Sequence, residues 1–161
     1  MPRGLEIPRT HVALEWKNQP TRTRTHKKSR NIMRLLTHNL LACHAKGCGS
    51  SSNNFPLQLR NVQLELIEAD YNETFLKGFL PKLAWPAFVS TARQLGDTSL
   101  PEDMPDFLSK EPSEEFLRTL HHVLLEIHVS EGEMVCPNCE HVYPIRSGIP
   151  NMLLAEHEIP K

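Results

Sequence analysis

From Val62 the apolar residues keep a two-residue period: Val62, Leu64 and Leu66 alternate with Gln63 and Glu65, as in a half-buried strand, until Ile67 mixes the faces. The period then lengthens. Asn72 is placed to cap a helix carrying Phe75, Leu76, Phe79 and Leu80, which Pro81 limits. Pro86 suits a first helical turn, Phe88, Ala92 and Leu95 share one face, and Gly96 is a natural stop. Three prolines and several acids make residues 97–112 an irregular connection, after which Ser113, Glu114 and Glu115 open a third helix through Phe116, Leu117 and Leu120. From about His122 the two-fold pattern returns. Val123, Leu125, Ile127 and Val129 oppose Leu124, Glu126, His128 and Ser130, Glu131-Gly132 reads as a turn into a strand from Glu133 to Val135, and His141 to Ile145 reads as another strand. Near the start, the apolar run from Met33 to Leu41 fits either a strand or a single helical turn, and residues 43–54 are loop.

This order, strands then three helices then strands, predicts an α+β fold. Its small zinc-ribbon-like antiparallel sheet is built from both chain ends, residues 33–68 and 123–161, with a three-helix domain inserted at 69–122. The chain has 161 residues, enough for one compact domain or for a core with a small lobe, and no apolar run approaches the length of a membrane span. Charge divides the chain further. Residues 1–32 hold eight basic side chains and two acidic ones with no sustained period, which reads as a disordered basic extension, whereas the remainder is acidic. An acidic body argues against a broad phosphate-binding face. For the extension, three readings stand open: a presequence or import-like patch, a nucleic-acid-binding tail, or a leader translated upstream of Met33.

Every cysteine belongs to one of two pairs, Cys43-x4-Cys48 and Cys136-x2-Cys139, separated by 87 residues. Closely spaced pairs let each short loop supply two thiolates to a tetrahedral zinc ion, and the long separation is accommodated if the helices divide two ends of one sheet. Gly47 and Gly49 flank the second ligand, and Pro137 stiffens the other loop so that amides can point at sulfur. Two disulfides would require an oxidising compartment, and a redox pair would open a helix, whereas Cys139 leads into strand-like residues. His44 and His141 are possible substitutes for a thiolate. Four protein ligands make a closed, structural site.

No Gly-x-Gly-x-x-Gly, P-loop or Gly-x-Ser-x-Gly motif occurs. The pair His121-His122 reads as solvated or partly packed, and Asp103 and Asp106 as solvated loop acids. No constellation supports catalysis. The C-terminal apolar cluster, Ile149, Met152, Leu153 and Leu154, admits two readings: a last core strand, or an edge kept open for a partner because Pro150 disfavours regular pairing.

Four separated motifs now converge. Met33-Arg-Leu-Leu-Thr-His-Asn-Leu-Leu41, Asn54-Phe-Pro-Leu57, Glu115-Phe-Leu-Arg-Thr-Leu-His-His122 and Gly148-Ile-Pro-Asn-Met-Leu-Leu154 resemble, in order, the tRNA methyltransferase 112 family, the multifunctional methyltransferase subunit. The resemblance implies a non-catalytic activator that forms heterodimers with Rossmann-type S-adenosylmethionine-dependent methyltransferases acting on tRNA, 18S rRNA and the class I translation termination factor. It implies structural zinc on Cys43, Cys48, Cys136 and Cys139, S-adenosylmethionine bound by the partner alone, and docking through Ile149, Met152, Leu153 and Leu154. It further implies residence in cytoplasm and nucleus and contact with RNA only through the partner. Residues 1–32 lie outside the family pattern. The competing expectation is a free-standing zinc-ribbon module that binds nucleic acid through the basic extension, with a thiol-disulfide enzyme behind it.

Overall fold

The structure is a computed structural model that describes residues 32–49, 51–107 and 109–159; nearly all of the basic extension falls outside the described residues. Its centre is a long strand, β3 (Ile127–Val135), which pairs with other strands on both sides. Along one side runs β2 (Gln58–Leu66), antiparallel from Gln58 opposite Val135 to Leu66 opposite Ile127. The other side is shared by β1 (Met33–Arg34), opposite Val129 and His128, and β4 (Val142–Arg146), opposite Val135 to Gly132. The two-residue β5 (Ile149–Pro150) closes on β4. Segments from both sides of the helices, residues 33–66 and 127–150, therefore meet in one curled antiparallel sheet, the α+β architecture the pattern predicts.

The pattern is corrected at two places on this strand. Residues 131–132 are not a turn: β3 continues through them because partners on both sides hold it extended. Gly132 is needed there for clearance, since a Cβ would lie 2.8 Å from Val62 Cγ1 and 3.1 Å from the Arg60 carbonyl oxygen. Nor are Val123 to Glu126 strand. They form a π-helical turn, His122–Glu126, that carries Val123, Leu124 and Leu125 into the core; with apolar residues on every side, alternation could not distinguish strand from buried helix.

The helices start where the sequence places them. The Asn72 side chain accepts the Phe75 N–H at 2.9 Å to cap α2 (Glu73–Phe79), and Ser113 does the same for Phe116 at 3.2 Å to cap α4 (Glu114–His121). A short 3-10 turn containing Pro81 follows α2. Pro86 sits in the first turn of α3 (Trp85–Gln94), and Gly96 ends it at φ +91°. A four-residue helix α1 (Leu35–His38) continues directly from β1, so Met33 to His38 is both strand and helical turn. Leu76, Phe88, Leu117 and Leu120 from the helices join Leu35, Leu57, Val129 and Ile145 in one continuous core. No helix among the described residues is long and apolar enough to cross a membrane.

Strand β2 departs from the half-buried reading. Leu59 is buried, but irregular register between Arg60 and Leu64, with Asn61 at φ +51°, turns the following residues outward. Leu64 and Leu66 are 43% and 57% exposed.

Two buried histidines give this fold a pH dependence. His38 Nε2 lies 2.7 Å from the Leu57 carbonyl, and burial holds its pKa below the ordinary value. Burial also lowers His128, whose Nδ1 lies 2.8 Å from the Glu126 carbonyl while Nε2 accepts from Arg34 Nε at 3.4 Å, an arrangement of the neutral ring. Both histidines take a proton more readily when unfolded, so their contribution is complete above the unfolded pKa, about 6.5, and is lost as pH falls below it. The urea midpoint, with metal content checked at each pH, should fall between pH 7.5 and 5.5; a flat midpoint would contradict this.

Candidate metal centre

The two cysteine pairs, 87 residues apart in the chain, come together at one end of the sheet. Cys43 and Cys48 lie on the loop between α1 and β2, which turns through Gly47 at φ +86°. Cys136 directly follows β3, and Cys139 precedes β4. The backbone tightens this second loop: Glu140 N–H donates to the Cys136 carbonyl and Cys136 N–H to the His141 carbonyl, both at 3.0 Å.

All four Sγ atoms lie within 4.8 Å of one another, with Cys43 and Cys139 3.7 Å apart and Cys48 and Cys136 3.9 Å apart. A disulfide would require about 2.05 Å. Four sulfurs at about 2.3 Å from a tetrahedral ion are separated by about 3.8 Å, so the spacing fits a metal ion and the cysteines are free thiols. Cys43, Cys48 and Cys136 are buried, whereas Cys139 is exposed.

Without a cation, Cys43 and Cys139 resist ionisation. Burial pushes Cys43 up, and partial loss of water around its sulfur, with the neighbouring thiols, pushes Cys139 up to about 12. Cys136 is lowered: against its burial, the amides of Cys139 and Asn138 favour the thiolate. A bound cation supplies the charge that lets all four deprotonate.

Two further side chains contact the sulfurs, and a third holds the second loop. The buried Tyr143 hydroxyl lies 3.2 Å from Cys43 Sγ; burial and that contact raise its pKa, so it remains a proton donor. Asn138 donates from Nδ2 to Cys48 Sγ at 3.0 Å and from its backbone N–H to Cys136 Sγ at 3.4 Å, tying the second loop to a sulfur of the first. Glu158, in the 3-10 turn Glu156–Glu158, lies 3.1 Å from His141 Nδ1. All three escape the sequence reading; the signal for Asn138 is a short polar residue inside the Cys-x2-Cys loop, and no spacing marks Tyr143 or Glu158. His44 is exposed, and neither it nor His141 joins the sulfur cluster.

The remaining candidates lie elsewhere. His122 Nδ1 and His121 Nε2 face Glu126 at 2.7 and 3.4 Å, a partly packed pair as expected. Burial raises the Glu126 carboxyl, but the His122 bond and the Ala69 backbone bring it below the usual range. Asp103 and Asp106 are exposed. The C-terminal apolar residues divide by alternation. Ile149 and Leu153 are 63% and 84% exposed, while Met152 and Leu154 pack against the core.

With this geometry established, a family model described as Trm112p-like protein matches residues 34–148. The chain belongs to that family. It is 48% identical to the Schizosaccharomyces pombe multifunctional methyltransferase subunit trm112, covering 79% of this chain and 100% of that protein. Homolog A from Arabidopsis thaliana is 43% identical over the same shares, and the Saccharomyces cerevisiae subunit is 38% identical over 78% and 98%. Among solved structures, the chain is similar to one from the E. cuniculi Mtq2-Trm112 complex, described as responsible for methylation of the eRF1 translation termination factor. That match has a TM-score of 0.45 and 23% identity, covering 75% of this chain and 95% of that one.

Loss of one ligand should remove metal and stability together. Cys136→Ser should lower both the melting temperature and the metal content measured by mass spectrometry; metal content unchanged from the parent would contradict the site. Tyr143→Phe should keep the fold and weaken metal affinity roughly tenfold in a chelator competition.

Proposed function

We propose that this protein is a non-catalytic subunit that stabilises and activates S-adenosylmethionine-dependent methyltransferases, with zinc as its structural metal. The observation that carries this reading is family membership: the relatives bear the name multifunctional methyltransferase subunit and match over nearly their whole length. Four thiolates at tetrahedral spacing leave no vacant ligand position for a substrate, so zinc in this site organises the two ends of the chain. Zinc coupled to folding contributes on the order of 10 kcal/mol of apparent free energy.

The physical role follows from the partner's chemistry. A Rossmann-type methyltransferase with an uncovered apolar patch gains stability by mass action when a subunit binds its folded form alone. If the subunit favours the cofactor-competent arrangement, apparent cofactor affinity rises without any contact to the cofactor. The substrates, tRNA, 18S rRNA and a translation termination factor, would be bound by the partner, in cytoplasm and nucleus.

Docking is assigned to the C-terminal segment from Ile149 to Leu154. Ile149 and Leu153 present apolar surface, and Met152 and Leu154 anchor the segment to the core. Leu153→Asp is the direct test, because a side chain 84% exposed tolerates charge in the free protein. Burying that carboxylate against an apolar partner would cost several kcal/mol, at about 1.4 kcal/mol for each tenfold in affinity. The folded variant should lose methyltransferase co-purification from salt-washed lysate. Full recovery of the partner by Leu153→Asp, with loss in Leu64→Asp instead, would move docking to β2. Retention on RNA that disappears with residues 1–32 would favour the nucleic-acid module.

A further inference from the structure

One residue at the C-terminal end holds both metal-ligand loops. The Glu158 carbonyl accepts the Lys46 backbone N–H at 2.7 Å, between Cys43 and Cys48 in the first loop. Its carboxylate Oε1 meets His141 Nδ1 at 3.1 Å, two residues beyond Cys139 in the second. The segment closes on itself as well: Oε2 accepts the Ala155 N–H, and the Glu158 N–H donates to the Ala155 carbonyl, both at 2.8 Å. This turn is therefore internally fixed and tied across the two loops whose separation would open the centre.

It also stands where the centre faces solvent. Three of the four ligands are sealed in the core, and Cys139 is the exposed one. A cleft of about 360 Å³ reaches it, lined by Ala45, Lys46, Cys139, His141, His157 and Glu158. The turn thus forms one wall of the route by which a competing ligand would approach the most accessible thiolate.

We propose that residues 155–159 are a strap over the metal centre, positioned by Glu158, that sets how fast the ion is lost and how readily Cys139 is attacked. An ion leaves a four-thiolate site by stepwise replacement of ligands, and the first to detach is the one that solvent reaches. When Cys139 swings away with its loop, the two ligand loops separate and the links through Glu158 to Lys46 and His141 break. The proposal rests on zinc as the bound metal.

The test compares the zinc-loaded full-length chain with Glu158→Ala and with a chain ending at Leu154. Zinc transfer to excess 4-(2-pyridylazo)resorcinol is followed by absorbance, and iodoacetamide labelling of Cys139 by peptide mass spectrometry. The shortened chain should release zinc about tenfold faster, and Glu158→Ala, which keeps the carbonyl bond to Lys46, severalfold faster; both should label Cys139 faster, with unchanged circular dichroism. Release and labelling rates equal to those of the full-length chain would overturn the strap. If the shortened chain unfolds, Glu158→Ala decides on the same two rates. If the full-length chain carries no zinc, the zinc reading fails, and Cys139 labelling in the metal-free proteins decides the strap.

Discussion

Four sulfurs within 4.8 Å of one another, supplied by two loops 87 residues apart, constrain the rest of this molecule. The loops can meet only if the chain returns to its starting point after the helical insertion. Strand β3 makes that return. Its side facing β2 receives the segment that follows the first cysteine pair, its other side receives β1 and β4, and it delivers Cys136 directly from its end. Metal site and sheet are thus mutually dependent: pairing aligns the loops, and an ion that lets four thiols ionise would lock them.

The same constraint explains why the helices tolerate insertion. They enter and leave the sheet through residues 67–72 and the π-helical turn at 122–126, and their apolar faces join the core of the sheet. Val123 and Leu124 in that turn are fully buried, so the change from helix to strand occurs inside the protein. His121, His122 and Glu126 place the polar groups of the junction against one another and the Ala69 carbonyl.

Local chemistry was legible wherever a single residue decides a backbone conformation. Asn72 and Ser113 start helices by accepting an N–H, Pro86 fits a first turn, and Gly96 supplies a positive φ; each does so here. The cysteine pairs were legible because a tetrahedral ion requires four soft ligands on short loops. What depends on neighbours was not. The Glu131-Gly132 pair resembles a turn until strands are known to flank it, and the exposure of Leu64 and Leu66 follows from a register irregularity at Asn61 that alternation does not encode. Likewise Tyr143 and Glu158 reach the metal centre only through folding, Tyr143 from a strand and Glu158 from the far end of the chain.

In the proposed division of labour, this chain supplies structure and docking and a partner supplies all the chemistry. Calorimetric titration of S-adenosylmethionine into the isolated chain, an isolated partner methyltransferase and their complex tests that division most directly. The account predicts no binding heat from the chain alone and one cofactor per complex, bound more tightly than by the partner alone. Micromolar binding by the isolated chain, or identical affinity of the partner with and without it, would contradict the account.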